Sequence, residues 1–361
     1  MPFTADEIST AGMTSLDFYV KNNPVDQVAI ERALLKDLNK GKKSFPGAKE
    51  YVVEQIRNQY QSNFQWFNGS KTVTYNKRKT VQQAKFPWRS AHDGFALDED
   101  RLAQNGITMI EGKTKTASRA EVMQLTNLLD EENEVLRLGF EEKFDQALWQ
   151  DGSTDADAID GIDALINIDA TWNTVGGINS ATAGNEYWRN HKATGLTTTT
   201  TVGTIWSSMR SAWRACVRNG GRPDKIYAGS DFVDGLQDFM MRTYGRLNYS
   251  SVDYVGSGEM GNGADGLDTG MRFNKVPIIW VPSFADLDAL SGEPVASRPA
   301  WEKRCYFINT RHLKLRPMDG HDMIVRKPPR TYDKYEYYWG LTWRGGVTTN
   351  RRNAHAALSI A

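Results

Sequence analysis

One long amphipathic helical pattern, between Thr116 and Trp149, constrains this chain more than any other stretch. Ser118 followed by Glu121 has the form of a capping box, which places a helix start near this point. The apolar residues that follow recur at steps of three, four and seven, as on one helix face: Val122, Leu125, Leu129, Leu136, Phe140, Phe144 and Leu148. The pattern contains no proline, so it predicts a helix about 50 Å long. A helix longer than a globular core requires usually serves as a backbone for other elements.

The composition excludes several classes of protein. A length of 361 residues predicts two domains or one elaborate domain. Lysine plus arginine equals aspartate plus glutamate at 44 each, and this balance argues against a dedicated nucleic-acid binder. No apolar run approaches the roughly 20 residues of a membrane span, and residues 1–23 lack the pattern of a signal peptide. Cys216 and Cys305 lie in apolar contexts, so we expect buried free thiols.

The stretch from Tyr51 to Met109 predicts two long extended segments that face each other across a basic, polar tip at residues 76–79. Asn68-Gly69 is a turn signal within it. A hairpin is marginally stable in water by itself, so this one must cover another surface, either its own core or another subunit. The aromatic and basic residues available for that contact are Phe64, Trp66, Phe67, Lys77, Arg78, Lys79, Phe86 and Trp88.

The remaining chain predicts a mixed arrangement of helices and strands. Helical patterns cover Val25–Leu38, Asp98–Asn105, Val202–Arg218 and Ser230–Tyr244, and strand patterns cover residues 225–228, 276–281 and 304–308. Residues 347–360 are predicted to run extended, with alternating apolar residues, and to pack against the long helix. The fold class is therefore α+β.

The motifs that could indicate catalysis fail in their context. The GxGxxG match at Gly256–Gly261 is not followed by a helix, as a dinucleotide site requires. The aspartates at 151, 155, 157 and 160 lack the glycine and the glutamate of a calcium loop. The five histidines have no metal-ligand spacing, and no nucleophile elbow is present. We therefore expect no enzyme activity, no catalytic residue, no cofactor and no metal.

Three small basic groups, Lys77-Arg78-Lys79, Arg326-Lys327 and Arg351-Arg352, could contact phosphate. They could equally pair with acidic surfaces of neighbouring subunits.

The segments that follow the long helix carry a resemblance to a known family. They are Ile159–Ile166 (IDGIDALI), Thr174–Asn179 (TVGGIN) and Tyr187–Asn190 (YWRN). In this order, after a helix that ends at Asp151-Gly152, they resemble the major capsid proteins of tailed double-stranded DNA phages. These proteins share the coat fold named after phage Hong Kong ninety-seven. The resemblance extends from about Lys49 to the C-terminus.

The resemblance implies a fold with five parts. They are an N-terminal arm (1–50), an extended loop with flanking strands (51–111), the spine helix of a peripheral domain (112–151), an axial domain (152–315) and C-terminal strands of the peripheral domain (316–361). In that family the extended loop lies over the adjacent subunit. Carried to about Arg57–Ala91, this makes the aromatic and basic residues named above candidate inter-subunit contacts.

The resemblance further implies a structural protein that self-assembles, as pentamers and hexamers, into an icosahedral shell around double-stranded DNA. The expected partners are copies of itself, the packaged DNA bound without sequence preference, and scaffold, portal and decoration proteins, with no membrane. The expected location is the virion, after assembly in the host cytoplasm. Two alternatives stay open: an encapsulin-type compartment with the same fold, and a cytosolic α+β enzyme. The failed motifs count against the enzyme.

Overall fold

The computed structural model describes residues 31–47, 50–98, 100, 119–198, 203–218, 220–244, 267–290, 298–327 and 336–361. The chain divides into two compact units. The smaller unit comprises Met1–Ile30, Asp93–Phe140 and Val325–Leu341, and the larger comprises Glu31–His92, Glu141–Ile324 and Thr342–Ala361. The predicted helix over 98–105 and the GxGxxG match lie outside the described residues.

The first half of the described chain contains helix α1 (Ala33–Lys40), strands β1 (Tyr51–Arg57), β2 (Val81–Pro87) and β3 (Arg89–Asp98), and helix α2 (Arg119–Trp149). Helix α2 confirms the long helix, and its 31 residues span about 46 Å. The predicted apolar face is buried at Leu136, Phe140, Phe144 and Leu148. The Ser118 cap and the side chains at the helix start are outside the described part.

After α2 the chain forms α3 (Ile162–Leu165), β4 (Thr174–Val175), β5 (Ile178–Asn179), β6 (His191–Leu196), α4 (Ile205–Arg218), β7 (Lys225–Ala228), α5 (Ser230–Tyr244), β8 (Asp268–Phe273), β9 (Val276–Trp280) and α6 (Ser283–Ala289). It ends with β10 (Arg304–Ile308), β11 (Leu313–Pro317), β12 (Ile324–Arg326), β13 (Glu336–Thr349) and β14 (Ala356–Ile360). These elements confirm the predicted helices and strands of residues 202–308 to within a few residues at each end.

A six-stranded mixed sheet with the order β6-β14-β10-β7-β9-β8 forms the core of the larger unit. Strand β10 lies antiparallel to both β14 and β7, and its five residues are all buried. Helices α4 and α5 contribute their apolar residues to the same core, for example Met209 and Leu236. The core also contains Cys216 and Cys305, which are free and buried as predicted.

The position of β14 differs from the prediction. The sequence assigned residues 347–360 to strands that return to the long helix, whereas β14 lies between β6 and β10 in the six-stranded sheet. A short helical turn at Arg352–Ala354 separates β14 from β13. Because both faces of a central strand are covered, Ala356 to Ser359 are all buried and the predicted alternation is lost.

A second sheet has the order β11-β13-β12, with β3 also paired to β13. Residues 43–45 dock beside this sheet, because the N–H groups of Lys43 and Phe45 donate to the carbonyls of Leu315 and Pro317. Helix α1 buries Leu34, Leu35 and Leu38, as its apolar pattern predicted. Within the described residues, no helix combines the length and the apolar character needed to cross a bilayer.

Candidate assembly surface

The base of the predicted loop is a regular two-stranded hairpin. Strands β1 and β2 pair antiparallel from Tyr51↔Pro87 to Arg57↔Val81. Since alternate side chains point to opposite faces, one face is buried and the other is exposed. The buried face consists of Val52, Ile56, Ala84 and Phe86.

Several contacts fix this base to the larger unit. On β1, the Glu54 carboxylate accepts hydrogen bonds from the Arg316 guanidinium and from Thr348 Oγ1, the latter at 3.2 Å. On β2, the N–H of Lys85 donates to the carbonyl of Gly176 at 2.9 Å. Both strands therefore leave the body of the subunit from fixed positions.

Beyond the base, residues 58–80 extend without a strand ladder, and we call them the distal loop. The chain reverses at Asn68, whose carbonyl accepts from the N–H of Lys71 at 2.9 Å. The side chains of Asn63 and Gln65 donate to Thr74 across the two arms. The turn signal Asn68-Gly69 thus marks the apex, and the prediction that residues 76–79 form the tip is wrong. Those residues lie on the returning arm.

The distal loop exposes large aromatic side chains. Phe64, Trp66 and Phe67 are 73%, 83% and 68% exposed, and the rings of Phe64 and Trp66 meet edge to face at 5.2 Å. Tyr60 and Tyr75 are also exposed. Apolar surface concentrated in this way on an extended loop is typical of an interaction site.

The loop is also strongly basic. Residues 55–92 contain seven basic residues and no acidic residue: Arg57, Lys71, Lys77, Arg78, Lys79, Lys85 and Arg89. Because the whole chain has a net charge of zero, the rest of the chain carries a net charge of −7. Lys77, Arg78 and Lys79 are all exposed. Residues 55–92 and the rest of the chain therefore carry net charges of opposite sign.

The structure divides the predicted contact residues into two groups. Phe64, Trp66, Phe67 and the basic residues 77–79 are exposed on the distal loop. Phe86 is only 1% exposed and packs into its own subunit, so this ring is not available to a neighbour. Trp88 is half-buried beside it. The division follows strand alternation at the base, which points Phe86 inward.

The structure gives Arg352 a role different from the phosphate contact that its sequence context indicates. Arg352 was a candidate phosphate contact, but its side chain is fully buried. Its guanidinium donates to the carbonyls of Leu165 at 2.7 Å and Trp188 at 3.0 Å. It also donates to side-chain oxygens of Asn173 at 3.0 Å, Asn190 at 3.3 Å and Ser180 at 3.4 Å.

These five acceptors belong to the segments that carry the family resemblance and to the chain between them. All five are uncharged, and burial lowers the pKa of Arg352 to about 9, so the guanidinium stays protonated at neutral pH. Further hydrogen bonds connect residues 161–190 internally. The Asn190 side chain accepts from the N–H of Asn167 and donates to the carbonyl of Asn167. No sequence signal indicates this cluster, because its central residue lies far along the chain from its acceptors.

A second buried cluster joins the start of this segment to residues near 300. Arg298 donates to Asp151 at 2.7 Å, to Asp163 at 2.6 Å and to Asp169 at 2.6 Å. Asp163 also accepts from Arg304 and Tyr306, each at 3.1 Å. Burial raises the pKa of Asp163, and the two arginines oppose that rise.

Arg298 is therefore the ion-pair partner of Asp151. In the part of the chain that the structure describes, no group of three or more histidine, cysteine, aspartate or glutamate side chains could hold a metal ion.

No family model and no curated protein matches this sequence. Among solved structures, the capsid asymmetric unit of cyanophage A-1(L) is similar over 93% of this chain and 94% of its own, with a TM-score of 0.59 and 13% identity. The capsid of Myoviridae phage XM1 is similar over 94% and 95%, with a TM-score of 0.55 and 12% identity. The capsid of a native GTA particle is similar over 94% of this chain and 95% of its own, with a TM-score of 0.53 and 11% identity. The chain therefore has the coat fold of these capsid chains, as the sequence predicted.

Proposed function

We propose that this chain is a major capsid protein that self-assembles into the icosahedral shell of a tailed phage and encloses double-stranded DNA. The observation that carries the proposal is an exposed, aromatic and basic loop on a fold shared with phage capsid chains. A structural role also agrees with the two buried polar clusters, whose charged and amide groups bond to one another.

The distal loop contacts a second copy of this chain. Burial of a large aromatic side chain contributes roughly 1.5–3 kcal/mol, and a closed shell repeats the contact in every subunit. Residues 55–92 contain seven basic residues and no acidic residue, whereas the rest of the chain has a net negative charge. This opposite charge favours a contact between the loop of one copy and the rest of a neighbouring copy. Contacts of this kind weaken with salt, and we expect assembly to slow as ionic strength rises.

The other parts of the chain take the roles that the resemblance implies. Residues 1–50 act as an N-terminal arm, α2 as the spine of a peripheral domain, and residues 152–315 as an axial domain near the symmetry axes of pentamers and hexamers. The packaged DNA contacts the shell without sequence preference. Scaffold, portal and decoration proteins complete the set of partners, and assembly takes place in the host cytoplasm.

Electron microscopy of the purified protein tests the proposal directly. Uniform hollow shells are expected from the parent protein. The variant Trp66→Ala/Phe67→Ala should remain a folded subunit with an unchanged melting temperature, but should form few or no shells. Val217→Ala, which shortens an exposed side chain on α4, is the matched control and should assemble normally. Normal shells from the double variant would contradict the loop contact, and absence of shells from the parent protein under all assembly conditions would contradict the proposed function.

A further inference from the structure

The short hairpin β4–β5, residues Thr174–Asn179, lies directly against strand β2 at the base of the loop. Gly176 accepts a hydrogen bond from the N–H of Lys85 at 2.9 Å. A Cβ at Gly176 would lie 2.8 Å from the Cβ of Ala84 and 3.3 Å from Cζ of Phe86. The hairpin therefore touches three consecutive residues of β2 with no space between them.

The hairpin is itself held rigidly. Gly176 and Gly177 have φ values of +61° and +75°, as the tight turn between two paired strands requires. The indole N–H of the fully buried Trp188 donates to the carbonyl of Val175 at 3.0 Å. Trp188 in turn supplies one of the carbonyls that Arg352 binds. A chain of buried contacts thus runs from Arg352 to the surface of β2.

The distal loop has no comparable support. The hydrogen bonds described for residues 58–80 join its own two arms, such as Asn58 N–H to the Thr80 carbonyl at 3.0 Å and Lys79 N–H to Gln61 Oε1 at 2.7 Å. The direction in which the loop leaves the subunit is therefore determined at its base, by the Glu54 contacts on β1 and by the hairpin β4–β5 on β2.

We propose that the hairpin β4–β5 is a seat that sets the direction of the distal loop, with Gly176 as its contact point and Arg352 as its anchor. Gly176 is a positioning residue, because it acts on the loop through Ala84 and Phe86. The consequence for shell geometry rests on the proposed function above, whereas the seat itself is a property of the single subunit. Any atom added at Gly176 must push β2 outward, and the displacement grows with distance along the loop.

The chain provides a matched pair of variants. Gly176→Ala and Gly177→Ala both place a side chain at a positive φ, so both strain the turn in a similar way. Only the first meets β2, because a Cβ at Gly177 would have nothing within 4 Å. A third variant, Gly176→Ala/Ala84→Gly, removes the nearest atom that the new methyl group meets.

Pulsed electron paramagnetic resonance can measure the loop direction in the unassembled subunit. Spin labels are attached at Ser70→Cys, next to the apex, and at Asp234→Cys, on α5; both positions are exposed. Cys216 and Cys305 do not compete for the label, because they are buried and burial raises the pKa of both thiols. Sedimentation at the same protein concentration shows that the subunit is not assembled.

We expect Gly176→Ala to shift the mean distance between the labels, Gly177→Ala to leave it at the parent value, and the double variant to restore it. Equal distance distributions for the two single variants would contradict the proposal that the hairpin β4–β5 sets the direction of the distal loop.

Shell assembly of the same variants separates the two proposals. A shifted loop together with reduced or misshapen shells supports both the seat and the loop contact. A shifted loop with normal shells supports the seat and contradicts the contact with a second copy.

Discussion

Two stretches of the chain, residues 58–80 and residues 161–190, contain little regular secondary structure, yet they differ in what holds them. The second is bound by buried hydrogen bonds to Arg352 and to its own backbone, and Trp188 within it is fully buried. The first exposes its aromatic rings and bonds mainly across its own two arms. Residues 161–190 are thus held to the rest of the chain mainly by buried polar contacts. The segment without such contacts is the one left available to a partner.

The largest effect is expected from Arg352→Ala. The substitution leaves several buried oxygen atoms without a donor, and each such atom costs about 1–3 kcal/mol. We expect a loss of about 3–4 kcal/mol in the free energy of unfolding of the unassembled subunit, measured with urea. Arg352→Lys should recover little, because an ammonium group cannot replace a planar group with five donors.

The neighbouring Arg351 gives the control, since its guanidinium makes an exposed hydrogen bond to the carbonyl of Gly220 at 3.1 Å. Arg351→Ala should change the free energy of unfolding by less than about 1 kcal/mol. Similar losses for the two variants would mean that residues 161–190 do not depend on the buried guanidinium.

A second pair of variants compares the loop base with the distal loop. Phe86→Ala empties a buried site and should cost about 3–4 kcal/mol of unfolding free energy. Phe64→Ala removes a ring that is 73% exposed and should cost less than about 0.5 kcal/mol in the unassembled subunit. If Phe64→Ala destabilised the subunit as strongly as Phe86→Ala, the distal loop would have to pack on its own subunit.

The sequence predicted the parts of the fold that depend on local periodicity. Helix α2 and strands β7 and β10 follow from apolar spacing and from the glycine and aspartate residues that end the patterns. The sequence identifies the turn at Asn68-Gly69 but wrongly predicts the tip of the loop at the basic residues 76–79. A turn signal gives the position of a reversal only when the pairing of the two arms is known.

The features that were missed depend on contacts between distant parts of the chain. The position of β14 between β6 and β10 could not be obtained from its own alternation, because neighbouring strands determine which faces are covered. Arg352 had the same local appearance as Arg351, one residue earlier. Only the folded chain shows that one is buried among five acceptors while the other is not.

Low pH affects the stability of the region around Arg352 through His355, three residues further along the chain, which is fully buried. Its Nδ1 accepts from the N–H of Asn309 at 3.1 Å. Burial, with the nearby charges of His312 and Arg352, lowers its pKa to about 3. Between pH 6.5 and 3 the unfolded chain therefore binds a proton that the folded chain does not. Stability from this group is present above pH 6.5 and is lost as the pH falls.

The carboxyl group of Asp145, on α2, acts in the opposite direction. Burial raises its pKa to about 6, against a hydrogen bond from Ser283. The folded state binds this proton first, so Asp145 adds stability as the pH falls from 6 towards 4. The two groups partly cancel in the parent protein, and variants are needed to separate them.

Urea unfolding at pH 7 and pH 5 makes that separation. Between these two pH values His355→Asn should lose about 2 kcal/mol less stability than the parent protein, because the variant lacks the histidine whose pKa folding lowers. Asp145→Asn should lose about 1 kcal/mol more stability than the parent protein, because asparagine cannot take up the proton that stabilises the folded state at residue 145. Parallel pH profiles for all three proteins would show that folding shifts the pKa of neither His355 nor Asp145.

The smallest effect concerns the bonds between the two arms of the distal loop. Asn63 donates to Thr74 Oγ1 at 3.1 Å in an exposed position, where water can replace the lost partner. Thr74→Ala should therefore change the free energy of unfolding by less than about 0.5 kcal/mol. Its partly buried counterpart is Asn173, which donates to the Ala164 carbonyl at 2.8 Å and accepts from Arg352. Asn173→Ala should cost about 2 kcal/mol, because the Ala164 carbonyl and the buried Arg352 guanidinium each lose a bond.

Limited trypsin digestion detects the local effect of Thr74→Ala that global unfolding misses. The distal loop offers cleavage sites at Lys71, Lys77, Arg78 and Lys79. A loss of about 0.5 kcal/mol in arm pairing increases the open population roughly twofold, so cleavage of the unassembled subunit should accelerate by about that factor. The proposed contact of the loop with a second copy predicts that the same sites are protected in shells of both proteins. Equal cleavage rates for free and assembled subunits would show that assembly leaves the distal loop uncovered.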